Sequence, residues 1–184
     1  MPFLGTGPTK TPADGSVDTA QLVDAAVEDT KVADGAVVQV VNVQDATLAT
    51  GTTVLPVDNT VPQNTEGDEV MTLAITPKST TNKLQIEVVC QLSSSVINDL
   101  AAALFQDSTA SALAAAATFQ ITATGRVQVA LCYFMVAGTV SETTFKVRVG
   151  GPNAGTTSFN GALGAGLFNG VGYSSITITE IKAS

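Results

Sequence analysis

Three groups of residues in this chain have side chains that could do chemistry. Glu66, Asp68 and Glu69, in the run TEGDE, cluster the carboxylate oxygens that calcium prefers. Their spacing matches no established calcium loop, and a solvated acidic turn is the plainer reading. Cys90 and Cys132 make neither a disulfide framework nor a metal-binding pattern, and they read as two reduced, unpaired core thiols. GALGAGLFNG at 161–170 places Gly164 and Gly166 at the first spacing of the dinucleotide fingerprint, but Asn169 stands where the third glycine belongs. It reads as a glycine-rich surface loop or a strand packed close to another. The chain has no histidine, which removes the commonest general base, the usual activator of Ser or Cys, and the commonest metal ligand. The expectation is no enzyme, no cofactor and no bound metal.

The elements available to position such residues are strands. In KLQIEVVCQL, Leu84, Ile86, Val88, Cys90 and Leu92 alternate with Lys83, Gln85, Glu87, Val89 and Gln91, the period of a half-buried strand. That register puts Cys90 on a core face. Phe145, Val147 and Val149 alternate in the same way with Lys146 and Arg148, and Ile176 and Ile178 mark a last strand. RVQVALCYFMVAG is apolar on both faces after Ala130, which predicts a central strand or one covered by a neighbouring subunit. Turn residues fall between these runs, at 76–82, 150–153 and 161–172. ALFQDSTASALAAAATF could be a helix on alanine propensity. It is read instead as a hairpin turning at 106–109, in keeping with a β domain. Short strands at this spacing predict a jelly-roll-like β-sandwich over 38–184.

Ahead of that body lies a repeat. Asp14, Asp24 and Asp34 stand ten residues apart, and Val17, Leu22, Val27, Val32 and Val37 recur every fifth residue. Five is odd, so on a strand successive apolar residues would face opposite sides. On a helix each would be turned about 140° from the last, leaving no lasting stripe. One chain of this kind cannot bury its own valines, whereas several packed in parallel about an axis can. The segment 14–37 is therefore read as a thin oligomeric stalk, with one-turn helices at Thr19–Val23 and Asp29–Ala33. Six acids against Lys31 alone would also suit a flexible acidic linker, and 18–31 could form one short helix. Residues 1–13, broken by Pro2, Pro8 and Pro12, are too interrupted for regular structure, and Phe3 and Leu4 are the most hydrophobic pair before the body; the anchor role given to them below is what a family resemblance implies.

Composition narrows the partners. Sixteen acids against eight basic residues give a net charge of -8, which argues against a phosphate-backbone partner. Only 13% of residues are charged, while mean hydropathy is +0.31, the profile of a chain that hides surface in subunit contacts, although high alanine alone would give the same figure. No run is long and apolar enough to insert in a membrane, and MPFLGTGPTK lacks an apolar core of signal-peptide length.

The DG-x-V decapeptide running into VVQVV resembles the stalk-to-head junction of tailed-bacteriophage fibre proteins. GTTVLPVDNTVPQNTEGDEVMTLAITPKSTTNKLQIEV, ALFQDST, TTFKVRVG, GTTSFNG and the closing SSITITEI resemble, as a set, the head domain of phage fibre and spike proteins, over about 14–184. The resemblance implies a parallel homotrimer with jelly-roll-like heads. The expected place is the surface of a virion, docked through 1–13 onto a capsid, tail or adaptor protein. With 13 residues before the repeat, a short capsid fibre suits the anchor, and a small tail or baseplate fibre fits nearly as well. The head could contact a host surface glycan or protein. Zero Trp and two Tyr offer few platforms for sugar stacking.

Overall fold

In a computed structural model the chain divides into two compact units, Met1–Ala33 and Asp34–Ser184. The structure describes residues 32–183, nearly all of the second unit. The expected β-sandwich is present. Its strands are β1 (Val37–Asp45), β2 (Ala49–Gly51), β3 (Asp68–Ile75), β4 (Lys83–Ser94), β5 (Asn98–Gln106) and β6 (Ala114–Gln120). They continue with β7 (Arg126–Val136), β8 (Thr143–Gly150), β9 (Thr157–Phe159), β10 (Gly161–Ala162), β11 (Ala165–Gly166) and β12 (Ser174–Ile181).

One sheet runs β1-β12-β4-β9-β2, with β7 on the other side of β4; the second runs β3-β8-β5-β6. Alternation explains why they stack. Leu84, Ile86, Val88, Cys90 and Leu92 of β4 are all buried, as are Phe145, Val147 and Val149 of β8 and Ile176 and Ile178 of β12. These inward rows form one continuous core with Leu100, Ala102 and Leu104 of β5. The segment 101–117 is the hairpin read from sequence: β5 pairs antiparallel with β6, from Asn98 against Gln120 to Leu104 against Ala114.

A second, smaller core lies outside the β3-β8-β5-β6 sheet. The connection between β2 and β3 crosses that outer face as a strap, and Leu55 is buried with Ala101, Ala103 and Phe105 of β5. The strap is tied by Leu55 N–H to Gly151 O at 3.1 Å and by Asn64 N–H to Ala110 O at 2.7 Å. Its closeness explains Gly150, where a Cβ would stand 2.9 Å from both Leu55 Cβ and Thr53 O. On the strap, the fully exposed Asp58 carboxyl is held below its ordinary value by the Thr60 hydroxyl and backbone N–H.

The chain joins this body at the turn Asp34–Gly35, where Gly35 adopts φ +84 and donates to Lys182 O at 2.9 Å. At that end a carboxylate is buried: Glu180 is 0% exposed. It accepts from Gln39 Nε2 at 2.6 Å, Lys78 N–H at 2.8 Å and Asn82 Nδ2 at 2.7 Å, joining β1, the β3–β4 turn and β12. Replacing Glu180 with Ala should strand these donors and lower unfolding free energy by about 3 kcal/mol. Glu180→Gln should recover only part of this, because its NH2 would face other donors. Urea denaturation midpoints check both.

Candidate functional site

The strands run from the end where the chain joins the body to a far end. That far end is built from the loops 95–97, 121–125 and 151–173, together with the β1–β2 turn. Buried amides hold these loops. Gln120, 1% exposed, accepts from Ser94 N–H at 2.7 Å and donates to Thr122 O at 2.7 Å, bridging two loops. Asn160 donates to Asp45 O at 2.6 Å and accepts from the Ser174 hydroxyl at 2.7 Å. An amide that donates and accepts can stand in for a strand partner where the ladder has ended.

On this platform sits the glycine-rich segment. β10 and β11 form a small hairpin in which Gly161 pairs with Gly166. Its two turn residues, Leu163 at φ +55 and Gly164 at φ +70, are both left-handed, as a type I′ turn requires. Phe168 and Asn169 follow at φ +54 and +50. Among the described residues six non-glycine residues have positive φ, and five of them lie at this end: Thr124, Asn160, Leu163, Phe168 and Asn169. Such backbone strain gathers where something other than stability shapes the chain. The same end exposes large apolar side chains: Leu163 78%, Phe168 70%, Val171 76% and Ile121 76%. Beneath the loop is a cavity of roughly 270 Å³ lined by Leu92, Leu167 and Phe168 with Gln91, Asn160 and Arg126. The Arg126 guanidinium makes no ion pair among the described residues. The arrangement suits adhesive contact, an apolar rim with a cation beside it; it assembles no nucleophile with a base.

The sequence-marked residues fall elsewhere. Glu66, Asp68 and Glu69 are not gathered at one point. Glu66 accepts from Gln63 N–H at 2.8 Å, and Asp68 accepts from the Thr53 hydroxyl at 2.7 Å. Glu69 lies 3.5 Å from Arg148 and 3.9 Å from Lys146. They fasten the strap and β3, with Asp68 and Glu69 on the strand itself, and are not a solvated acidic turn. Cys90 is buried, and burial pushes its thiol up to about 12. Cys132 corrects the expectation of two core thiols, because it is exposed. Leu131 and Tyr133 pack on the core, so Cys132 between them points out, opposite Glu87 of β4. The two thiols therefore lie on opposite faces of adjacent strands, and both are free. β7 likewise is not central in this chain: among the described residues β4 is its one ladder partner, and its outward Phe134 and Val136 are 55% and 56% exposed. Apolarity on both faces is visible in sequence, but which strand pairs with it is not. Of the five repeat residues, Val32 is half-buried and Val37, the first residue of β1, is 58% exposed. Val17, Leu22, Val27, Phe3, Leu4, the expected one-turn helix at 19–23 and residues 29–31 of the second lie outside the described residues; Val32 and Ala33, the end of that second helix, are not helical. The exposed far-end cluster was missed in sequence, where Leu163 and the pair Leu167–Phe168 stand isolated among glycines and alanines.

No family model matches this chain, and neither does any curated protein. Several solved structures are similar in shape. An Eiger TNF from S. frugiperda is 10% identical with TM-score 0.46, covering 79% of this chain and 94% of its own. A structure of infectious bursal disease virus, Gx strain, is 10% identical with TM-score 0.36, covering 79% and 38%. The enzymatically active domain of bacteriophage CBA120 tailspike protein 4 is 17% identical with TM-score 0.27, covering 67% and 19%. Likenesses of this degree carry no argument about what the chain does. Among the described residues no helix is long and apolar enough to cross a membrane.

Leu163 tests whether the far-end strain is real. Asn tolerates a left-handed conformation better than Leu, and a side chain this exposed loses little on replacement. Leu163→Asn should raise unfolding free energy by up to about 1 kcal/mol, read as a higher thermal midpoint.

Proposed function

We propose that this chain is a structural virion protein, a short homotrimeric fibre on the surface of a bacteriophage particle. The carrying observation is the DG-x-V repeat, which has no way to bury its valines within one chain, running directly into the first strand of a β-sandwich. In this reading 14–37 is the trimeric stalk, with Val17, Leu22, Val27, Val32 and Val37 at or near the axis. Residues 1–13 are the anchor, Phe3 and Leu4 seating in another virion protein, most simply a capsid protein. Three tethered copies of a weak apolar plug bind far more tightly than one. The sandwich faces outward and performs no catalytic step.

A second reading is a small tail or baseplate fibre whose head is a receptor-binding module for a host glycan or protein. It is favoured by the apolar, strained far end, the end of the sandwich away from Asp34.

Light scattering on the full-length protein should give three times the 18.6 kDa chain mass. A monomer at micromolar concentration would overturn the stalk. A fibre-deleted phage complemented with protein lacking 1–13 should yield virions without it, although the truncated protein remains a soluble trimer. Substitutions at Leu163 and Phe168 should leave incorporation intact; if they also weaken binding of purified protein to host cells, the receptor-binding reading gains.

A further inference from the structure

The two sheets differ in how their outer faces are finished. The strap covers one, so that β5 is buried on both of its sides. The outer face of the β1-β12-β4-β7 sheet has no such cover among the described residues. Its rows follow from the register: Ser175, Val89 and Ala130 lie abreast, then Thr177, Glu87 and Cys132, then Thr179, Gln85 and Phe134. Small side chains in the first two rows leave an open depression of roughly 450 Å³. Glu87 is the one charged group in these rows, and Gln85 Nε2 donates to it at 3.2 Å while lying 3.9 Å from the Cys132 sulfur. Solvent-facing sheets are ordinarily kept apart by charge, above all at their edges. Here the edge strand β7 runs eleven residues and carries no charge and no proline after Arg126. Val40 on the opposite edge strand, β1, is 55% exposed.

We propose that this face is where copies of the chain meet, each head being completed by its neighbours. The inference rests on the trimeric reading above and names the surface that holds the heads together. What covers the face is argued from the chain itself. The thirty-one residues before the described region lead, through the turn at Asp34–Gly35, into β1, a strand of this same sheet. Copies bundled through the repeat would therefore begin their sandwiches side by side, within a few residues of Val32. At that tethered concentration a sheet face whose three middle rows carry Glu87 as their one charge, with Lys83 and Arg126 at its two ends, needs little intrinsic affinity to associate. Those rows, Thr, Ser, Gln, Val and Ala with Phe134, Cys132 and the single Glu87, are also what a packed contact between like copies tolerates, because they bring together no row of like charges.

The two thiols report on the contact directly. In the full-length native protein, an alkylating reagent read by peptide mass spectrometry should label Cys132 about tenfold more slowly than in denaturant, because neighbours cover it. Cys90, buried within each copy, should be slower still. Ala130→Arg and Phe134→Glu should each speed Cys132 labelling toward the denatured rate while Cys90 stays protected, which shows that the sandwich remains folded. Thr72→Arg, on β3 of the other sheet, should change neither thiol. If light scattering gives a trimer but native Cys132 labels at the denatured rate, the face is not the contact and the trimer reading stands. If the protein is a monomer, the trimer reading falls and this inference with it. A trimer in which Ala130→Arg and Phe134→Glu leave Cys132 as slow as before would also overturn it.

Discussion

Glu180 is a buried carboxylate satisfied by neutral donors, and the joining end of the sandwich is organised around it. The residue sits on β12, between β1 and β4, and its oxygens gather donors from Gln39 on β1 and from Lys78 and Asn82 around the β3–β4 turn. A carboxylate out of water must be fully hydrogen-bonded, so each of these segments has one position in which the site is satisfied. The β3–β4 turn is one of the links between the two sheets. Fixing it to β12 sets where β3, and hence the second sheet, lies over the first. The chain joins at the same place, through Gly35 and Lys182.

From that fixed end the sheets are finished in different ways. One receives the strap, whose Leu55 makes a second core and whose approach excludes a side chain at Gly150. The acidic run that looked like a candidate cation loop belongs to this fastening. Asp68 holds Thr53, Glu66 holds Gln63, and Arg148 donates to Glu66 O and Gly67 O at 2.8 and 2.7 Å. The carboxylates are thus divided among hydrogen bonds and ion pairs that hold one segment against a sheet. The other sheet keeps an outer face with a single carboxylate in its middle rows and a shallow depression beside it. Among the described residues one sheet is therefore covered on its outer face and the other is not, and the uncovered one includes the strand that the repeat leads into.

How much of this could be read in advance depended on whether a feature is local. Alternation in KLQIEVVCQL is a property of neighbouring residues, and it placed Cys90 in the core correctly. The 101–117 hairpin followed from Gln-Asp-Ser-Thr acting as a turn between apolar runs, against the helix preference of its alanines. β7 shows where locality ends. Its two apolar faces were legible, but an edge position is a matter of which strands pair at long range, and so the exposure of Cys132 was not. The strap was invisible for the same reason: nothing in TTVLPVD distinguishes Leu55 from Val54 and Val57 until β5 lies beneath it. The repeat is the converse, a clear local period whose meaning lies between chains.

The far end carries a cost that the single chain does not recover. A left-handed conformation costs a residue with a side chain about 1–2 kcal/mol, unless local contacts compensate. Asn160 is compensated, buried and hydrogen-bonded on both sides of its amide. Leu163 is not, since it extends into solvent, and Phe168 is compensated only in part, its ring lying over Gly172 while 70% of the residue stays exposed. Glycine would serve at either position and is plentiful in the segment, as Gly161, Gly164, Gly166 and Gly170 show. Apolar side chains in strained backbone, mounted on loops tied down by Gln120 and Asn160, are held out at fixed positions. A packing demand from within the chain would have turned them inward, so their present direction points to a demand from outside it.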